Sequence, residues 1–417
     1  MPYWGVKPEI CHNCKKIMFR FVHCADLHLG SPFAAWRKLR PEVARELALA
    51  PFAAFDRLAE AAIENQALFM VLAGDVFDSS APTLYAEGRF LAALERLNAA
   101  GVRVFWSPGN HDCGAMRENL PANTVRFSSE EPECFPIEAG GRVVASVAGI
   151  GHASADERRD LVPRLIPKLA AAEGFRVGVL HANIDGVPGY EPYAPAPLAE
   201  LKNGPADYWA LGHIHKRRVL CEQPFAVYSG SAQGRSVNEP GPRGGVLVEV
   251  DDAGVATPRM LDVQPFRFET LTLDRLAEAT DTAALTRLFA AALPECNDPL
   301  CLRLVLKGGC PLNSRLRAPG AELEELFAPV LRAKLPRAIL ESVVVSTTAP
   351  PSESRREGLA AEVAAVRGEV DPGALLAAMS LKGSEFSGFG AEELAEIGRD
   401  AEELLLDYLA GDLEAGK

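Results

Sequence analysis

The chain has 417 residues, of which 48% are hydrophobic and 24% are charged. At about 150 residues per domain, this length predicts two or three domains, and the composition is typical of a globular protein rather than a disordered or fibrous one. The formal net charge of −13 argues against a protein that holds nucleic acid by bulk positive charge.

The apolar runs are too short for a membrane protein, since a membrane-spanning helix needs roughly 18 consecutive apolar residues. Met1 to Lys16 also lack the apolar core of a secretory signal. We therefore expect a cytoplasmic protein that does not contact a membrane. The nine cysteines are an odd number without a regular pattern, which suits reduced thiols. Cys11 and Cys14 form either a zinc or redox pair or part of an N-terminal extension outside the fold.

In chain order, five short apolar runs predict buried strands. They are Phe19–Cys24, Leu68–Leu72, Val102–Trp106, Arg176–Leu180 and Tyr208–Leu211. Helical patterns lie at Pro41–Gln66, with a predicted break near Pro51, and at Thr83–Ala100. A further strand is predicted at Arg142–Ile150 and a further helix at Glu157–Ala172. This alternation of strands and helices predicts an α/β core.

The pattern changes after Val263. Strands and helices are predicted at Phe266–Leu273, Arg275–Leu293, Cys301–Lys307, Ala321–Leu335 and Ile339–Ser346. The predicted organisation is an N-terminal extension (1–17), an α/β domain (18–264), a smaller α+β domain (265–349) and a helical C-terminal segment (350–417). That last segment is acidic, because residues 351–417 hold six Lys and Arg against 15 Asp and Glu.

A polar cluster follows each of the five predicted strands at its carboxyl end. The clusters contain Asp26 and His28; Gly74, Asp75 and Asp78; Gly109, Asn110, His111 and Asp112; His181; and Gly212, His213 and His215. In α/β sheets, ligands gather outside the carboxyl ends of the strands. If these strands are neighbours, the five loops meet, and this convergence is the main functional signal in the sequence.

The chemistry of these loops is that of a metal site. Five of the eight histidines lie in them, beside carboxylates and one amide. Asp75 is suited to bridge two ions, because a carboxylate can offer one oxygen to each. Imidazole together with oxygen ligands suits Mn²⁺, Fe or Zn²⁺ better than Ca²⁺ or Mg²⁺. We therefore predict two divalent ions, with Mn²⁺ preferred and Fe or Zn²⁺ as alternatives.

Such a pair of ions favours hydrolysis of a phosphate ester. Two ions about 3.5–4 Å apart clamp the attacking and leaving oxygens at phosphorus, and a metal-bound hydroxide serves as the nucleophile. His111 can act as the general acid that protonates the leaving oxygen. A neighbouring carboxylate is expected to orient its ring, with Asp78 as the candidate and Asp112 as the alternative.

Together these motifs resemble those of the calcineurin-like metallophosphoesterase superfamily. The blocks that carry the resemblance are Asp26-x-His28, Gly74-Asp75-x-x-Asp78, Gly109-Asn110-His111-Asp112, His181 and Gly212-His213-x-His215, in the family's order. The resemblance covers about the first 240 residues and implies a four-layer αββα sandwich. It implies two sets of metal ligands, namely Asp26, His28, Asp75 and His215 for one ion, and Asp75, Asn110, His181 and His213 for the other.

A narrower resemblance is to the SbcD-like DNA repair nucleases, particularly the bacterial YhaO type. It rests on residues 25–30, 73–78 and 210–215 and on the segment Tyr228–Ser231. It implies a DNA exonuclease or endonuclease whose second domain caps the first, with a coiled-coil ATPase of the SbcC type as partner. A homodimer is a further expectation, since relatives are often dimers. The chain departs from some members at Asp78, where they carry His.

Several residues near the last histidines are candidates for contact with the DNA backbone. They are Lys216, Arg217, Arg218, Ser229 and Ser231, with Arg235 and Arg243 as weaker candidates. The basic run is interpreted either as phosphate contacts at the lip of the site or as a solvated loop. Because the chain is acidic overall, these local groups or a partner must supply most of the affinity for DNA.

Two alternatives to a DNA phosphodiesterase remain open. The same site can serve a small phosphomonoesterase, a cyclic-nucleotide phosphodiesterase or a protein phosphatase, because these enzymes share the metal chemistry. The chain can also be a non-catalytic scaffold protein. Such a scaffold is expected to lose metal ligands, and none of the expected ligands is missing.

Overall fold

A computed structural model describes residues 18–33, 41–116, 119–295 and 299–350 of the chain. It divides into two compact units, one ending at Phe268 and the other beginning at Glu269. The predicted N-terminal extension with Cys11 and Cys14, and the acidic C-terminal segment, lie outside the described residues. Among the described helices, none is long and apolar enough to cross a membrane.

The first unit is built from two sheets and their covering helices. Its strands are β1 (Phe19–Cys24), β2 (Phe69–Leu72), β3 (Arg103–Trp106), β4 (Thr124–Arg126), β5 (Glu133–Ala139), β6 (Arg142–Gly149), β7 (Phe175–His181), β8 (Tyr208–Gly212), β9 (Arg218–Glu222), β10 (Phe225–Tyr228), β11 (Gly244–Val250) and β12 (Ala256–Asp262). Its helices are α1 (Pro41–Glu64), α2 (Leu84–Ala99), α3 (Val162–Ala170) and α4 (Leu198–Asn203). The strand order is β12-β11-β1-β2-β3-β4 in the first sheet and β5-β6-β7-β8-β10-β9 in the second.

The alternation of side chains along the strands builds four layers. Met70 and Leu72 of β2 pack with α1 and α2 on one face of the first sheet. Phe69 and Val71, on the opposite face, pack against the second sheet. The outer face of the second sheet, including Leu180, packs against α3 and α4. The predicted αββα sandwich is therefore confirmed.

Helix α1 differs from its prediction at Pro51. The predicted break is wrong, because the helix runs without interruption through this proline. A proline inside a helix costs about 3 kcal/mol. However, α1 buries Phe52, Phe55 and Leu58 in the core beside the first sheet, and each such burial contributes about 2 kcal/mol. The packing of these three side chains outweighs the defect.

Other elements agree in kind but differ in extent. The predicted helix 157–172 begins only at Val162, where the Asp160 carboxylate accepts the Val162 N–H at 3.0 Å. Strands β4, β5 and β9 to β12 lie outside the predicted runs. Strand β9 is largely exposed, and β11 begins with two glycines, which weaken the strand signal.

The second unit is an α+β fold. It contains β13 (Arg267–Leu273), α5 (Thr282–Ala292), β14 (Leu300–Gly309), α6 (Asn313–Leu316), α7 (Leu323–Lys334) and β15 (Ala338–Thr348). The strand order is β13-β14-β15, and β14 runs parallel to β15. Phe289 of α5 and Phe327 of α7 pack on the sheet around Leu304. Helix α5 begins later than predicted, where Asp281 caps it by accepting the Ala284 N–H at 2.7 Å.

Strand register brings the ends of the key strands together. In the first sheet, Cys24 of β1 pairs with Leu72 of β2, which pairs with Trp106 of β3. In the second sheet, His181 at the end of β7 pairs with Gly212 at the end of β8. These pairings are all parallel, so the loops after β1, β2 and β3 leave one edge of the first sheet together, and the loops after β7 and β8 leave one edge of the second.

Candidate metal centre

The turns after the strands hold several predicted ligands in left-handed backbone conformations. The φ angles are 51° at Asp26, 47° at His28, 49° at Asp75 and 96° at His213. These angles are uncommon for residues with side chains, and they persist only where the surrounding structure enforces them. Here the N–H of Asp26 donates to the Gly74 carbonyl at 3.0 Å, and the N–H of His28 donates to the Asp75 carbonyl at 3.0 Å.

Two glycines of the motifs are required by close approach. A Cβ on Gly74 would lie 2.3 Å from His181 Nδ1, and a Cβ on Gly109 would lie 2.3 Å from Asp75 Oδ1. Gly74 also has a φ of +91°, which favours glycine. The glycines of the motifs therefore let the backbone of one loop touch a predicted ligand of another.

One group of predicted ligands, which we call the His28 half, consists of Asp26, His28 and His215. One ligand atom from each lies within 4.8 Å of the others. The Nε2 atoms of His28 and His215 face each other at 3.1 Å. Asp75 Oδ2 lies 4.0 Å from His28 Nε2.

The second group, which we call the His181 half, consists of His181, Asn110 and His213. His181 Nε2 lies 3.0 Å from Asn110 Oδ1 and 3.3 Å from Asp75 Oδ2. The ring centroids of His181 and His213 are 5.3 Å apart, and the backbone N–H of His213 donates to Asp26 Oδ1 at 3.1 Å. The structure therefore brings all seven predicted metal ligands together, with Asp75 between the two halves.

This donor set fits a pair of divalent cations. Asp26 and Asp75 are 1% and 2% exposed, and buried carboxylates are costly without positive charge or hydrogen-bond donors. Imidazole nitrogens and carboxylate oxygens converge from both halves. That chemistry favours Mn²⁺, Fe or Zn²⁺ over Ca²⁺.

The histidines of the His28 half are oriented by side-chain carboxylates. His215 Nδ1 donates to Glu239 Oε1 at 2.9 Å, since a carboxylate only accepts. His28 Nδ1 lies 3.0 Å from Asp78 Oδ1. Each ring thus has a carboxylate beside Nδ1 and presents Nε2 inward, where the two Nε2 atoms lie 3.1 Å apart.

The histidines of the His181 half are oriented by backbone carbonyls. His181 Nδ1 donates to the Ala73 carbonyl at 2.9 Å, which leaves Nε2 facing Asp75. His213 Nε2 donates to the Glu191 carbonyl at 2.8 Å, which leaves Nδ1 as the unprotonated nitrogen.

Burial and neighbouring charges shift the pKa values of Asp75 and His181 in opposite directions. Burial alone raises the pKa of Asp75, but the neighbouring His181, His28 and His111 hold it well below its usual value. Burial lowers the pKa of His181, but the Asp75 and Asp26 carboxylates raise it to about 9. Burial, followed by the charge of His181, lowers the pKa of His213 to about 3.

His111 lies at the open side of the centre. Its side chain is 40% exposed, and its Nε2 lies 4.0 Å from Asp75 Oδ2. Its Nδ1 donates to the backbone carbonyl of Asp78 at 3.2 Å. The Asp78 carboxylate was expected to orient His111, but it lies beside His28 instead. The backbone carbonyl of Asp78 orients the His111 ring.

Asp112 does not orient His111 either, which corrects the alternative expectation. It is fully buried and accepts the N–H of Val76 at 2.6 Å and the N–H of Gly109 at 2.6 Å. Burial and the charge of Asp75 raise the pKa of Asp112 to about 6. This carboxylate ties two of the ligand loops together.

The predicted DNA contacts fall into two groups. Lys216 and Arg218 are exposed, and Arg217 is half-buried with Nη2 3.7 Å from Asp262 Oδ1. The expectation for Ser229 and Ser231 is wrong, because both are only 1% exposed. Their hydroxyls bond within the protein, Ser229 to the Gly230 carbonyl and Ser231 to Glu239.

Glu239 contacts a predicted ligand of this centre but lies outside the motifs. It lies 24 positions after His215 in the sequence, without a local pattern that marks it. Burial raises the pKa of Glu239, but hydrogen bonding by His215 and the charges of Arg235 and Arg243 lower it to about 2. Its low pKa and its hydrogen bond to His215 depend on the folded structure.

Comparison with known proteins agrees with this geometry. Residues 19–217 match the model of the calcineurin-like phosphoesterase family. The chain is 33% identical over 316 residues to the uncharacterized metallophosphoesterase YhaO of Bacillus subtilis, covering 74% of this chain and 76% of that protein.

Two further relatives carry nuclease or repair names. The DNA double-strand break repair protein Mre11 of Methanosarcina acetivorans is 28% identical over 269 residues, covering 61% of this chain and 41% of that protein. The SbcD component of the nuclease SbcCD of Escherichia coli is 26% identical over 262 residues, covering 53% of this chain and 62% of that protein. The chain therefore belongs to the calcineurin-like metallophosphoesterase family and is homologous to YhaO, Mre11 and SbcD.

Proposed function

We propose that the chain is a two-metal-dependent phosphodiesterase that acts on DNA ends or single strands. The observation that carries this proposal is the position of the Asp75 carboxylate, with Oδ2 4.0 Å from His28 Nε2 and 3.3 Å from His181 Nε2. This position between the two halves suits a ligand that two ions would share. Homology to proteins named as a DNA repair protein and a nuclease component supports DNA as the substrate.

The two halves hold one ion each in this proposal. The proposed ligands are Asp26, His28, Asp75 and His215 for one ion, and Asp75, Asn110, His181 and His213 for the other. When bound, the ions lower the pKa of water and offset the charge of the phosphate. Mn²⁺ is the proposed metal, with Fe or Zn²⁺ as alternatives.

His111 is the proposed general acid. Its Nδ1–H is held by the Asp78 carbonyl at 3.2 Å, so a proton on the ring is delivered from Nε2, on the side of Asp75. The exposure of the ring leaves room for a substrate oxygen beside it. Transfer of this proton to the leaving 3′ oxygen completes cleavage of the phosphodiester bond.

Partners follow from the same proposal. Lys216 and Arg218 are exposed after the last histidine motif and supply contacts to the DNA backbone. Because the net charge is −13, further affinity for DNA comes from a partner, for which a coiled-coil ATPase of the SbcC type is proposed. The proposal also includes a homodimer and a cytoplasmic location.

A substrate comparison tests the proposal. The purified full chain is loaded with Mn²⁺ and assayed side by side on linear double-stranded DNA, single-stranded DNA and a chromogenic phosphomonoester, each with and without a chelator. We expect DNA hydrolysis that the chelator abolishes. Hydrolysis of the phosphomonoester alone would replace the nuclease with a phosphatase, and two bound ions without any hydrolysis would favour a scaffold.

A further inference from the structure

The two histidines of the His28 half share an outer framework. Asp78 Oδ1 lies 3.0 Å from His28 Nδ1, and Glu239 Oε1 accepts from His215 Nδ1 at 2.9 Å. Both carboxylates are shielded, with side chains that are 21% and 16% exposed. Two such carboxylates on one side of a metal site repel each other unless a cation lies between them.

Arg235 is that cation. Its Nη1 lies 3.4 Å from Asp78 Oδ1, and its Nε lies 3.5 Å from Glu239 Oε1. Its backbone N–H also donates to Glu239 Oε2 at 3.1 Å, and its Nη2 lies 3.2 Å from His215 Nδ1. One guanidinium therefore touches the carboxylates behind both histidines.

We propose that Arg235 is a positioning residue for one metal ion: it links Asp78 to Glu239 and so makes His28 and His215 present their Nε2 atoms to the same cation. This inference rests on the proposed function, because it presupposes the two ions. It adds a residue that is not itself a predicted ligand and that acts through two carboxylates. The planar fork of arginine suits this role, since its nitrogens reach two acceptors at once.

A purely electrostatic role and a positioning role for Arg235 predict opposite changes in metal affinity when the guanidinium is removed. If the guanidinium acted only by charge, its removal would strengthen binding of a nearby cation. If it positions the histidines, its loss weakens binding, because outer partners of metal-binding histidines typically contribute 10–100-fold in metal affinity. Arg235→Lys separates these effects, since lysine keeps the charge and loses the fork.

The test is metal binding by the full chain. Wild type and Arg235→Lys are stripped with a chelator and titrated by calorimetry with Mn²⁺ and, in separate runs, with Fe²⁺ and Zn²⁺, and the bound metal is counted by elemental analysis. For wild type we expect two ions per chain. For Arg235→Lys we expect one ion to bind as in wild type and the other about 10-fold or more weaker. Arg96→Lys, in an exposed pair with Asp56, is the matched control and should bind both ions as wild type does.

The outcomes separate this inference from the proposed function. Equal affinity for both ions in wild type and Arg235→Lys would overturn the inference alone, as would equal weakening of both ions. A wild-type chain that binds no Mn²⁺, Fe or Zn²⁺ would overturn the proposed function and the inference with it. Thermal unfolding checks the fold, and Glu239→Gln provides a second variant. It should weaken the same single ion, and combining it with Arg235→Lys should add little, since both act through one network.

Discussion

The histidines in the two halves of the candidate metal centre are held by different chemical groups, side-chain carboxylates in one half and backbone carbonyls in the other. In the His28 half, the carboxylates of Asp78 and Glu239 lie behind the histidines. In the His181 half, the carbonyls of Ala73 and Glu191 take that place. A carboxylate raises the basicity of the imidazole that it holds and can be altered by substitution. A carbonyl cannot be removed by substitution and depends on the course of the backbone.

The two halves should therefore be sensitive to different kinds of substitution. Side-chain substitutions can tune the His28 half while leaving the fold intact. The His181 half depends on the close approach between the Gly74 backbone and the His181 ring.

Asp75→Asn should break both halves at once. The Asp75 carboxylate lies close to both His28 and His181, and an amide cannot replace its charge between two cations. We expect phosphodiesterase activity to fall by about 10³-fold or more and the metal content to fall below one ion per chain. Elemental analysis after desalting and a DNA hydrolysis assay measure both effects. Retention of two ions would show that Asp75 is not shared.

His111→Ala should spare both halves and remove the acid. Because His111 contributes an exposed ring at the open side, hydrolysis should fall by about 10²–10⁴-fold while the metal content stays near that of wild type. Single-turnover cleavage of an end-labelled DNA, with metal counted on the same sample, measures this. Full activity of the variant would contradict the assignment of His111 as the general acid.

Gly74→Ala should damage the His181 half, where the added Cβ meets the His181 ring. The added Cβ meets His181 Nδ1 at 2.3 Å, and the φ of +91° strains an alanine, at a cost of about 1–3 kcal/mol in the free energy of unfolding. We expect one of two ions to be lost. Gly88→Ala in α2 is the control, because a Cβ there meets nothing within 4 Å, and it should raise stability by about 0.5–1 kcal/mol. Equal metal content in wild type and Gly74→Ala would argue against the backbone dependence.

Lys216→Ala and Arg218→Ala should have the smallest effects, because both residues lie outside either half. Each is expected to weaken DNA binding modestly and to reduce the slope of log affinity against log salt by about 1, without changing the metal content. Ser229→Ala is the matched control, since its hydroxyl is buried and should not alter the slope. Fluorescence anisotropy with single-stranded DNA at several salt concentrations measures the slopes.

The parts of the fold that could be predicted from sequence were those with local signals. Strand β1 has the predicted limits, Phe19–Cys24, because a buried strand is a short apolar run bounded by polar residues. The break at Pro51 could not be judged locally, since the helix survives by burying Phe52 and Phe55 against a distant sheet. Local propensity loses wherever tertiary burial contributes more energy.

The candidate site divides in the same way. The predicted ligands follow the strand ends, so the order of motifs along the chain was sufficient to group them. The partners of those ligands were not predictable. Asp78 was expected behind His111 and lies behind His28, and Asp112 binds the backbone of Val76 across 36 positions of sequence. Hydrogen bonds between loops depend on distances that no local spacing encodes.

The fold class, the family motifs and the set of side chains that can bind two cations could all be inferred from the amino-acid sequence. These follow from short patterns, because strand periodicity and metal-ligand chemistry are properties of neighbouring residues. Two other features are known only from the folded structure. Ser229 and Ser231 are buried, and Glu239 Oε1 accepts a hydrogen bond from His215. Burial and hydrogen bonding are set by which segments pack together, and packing joins residues that the chain keeps far apart.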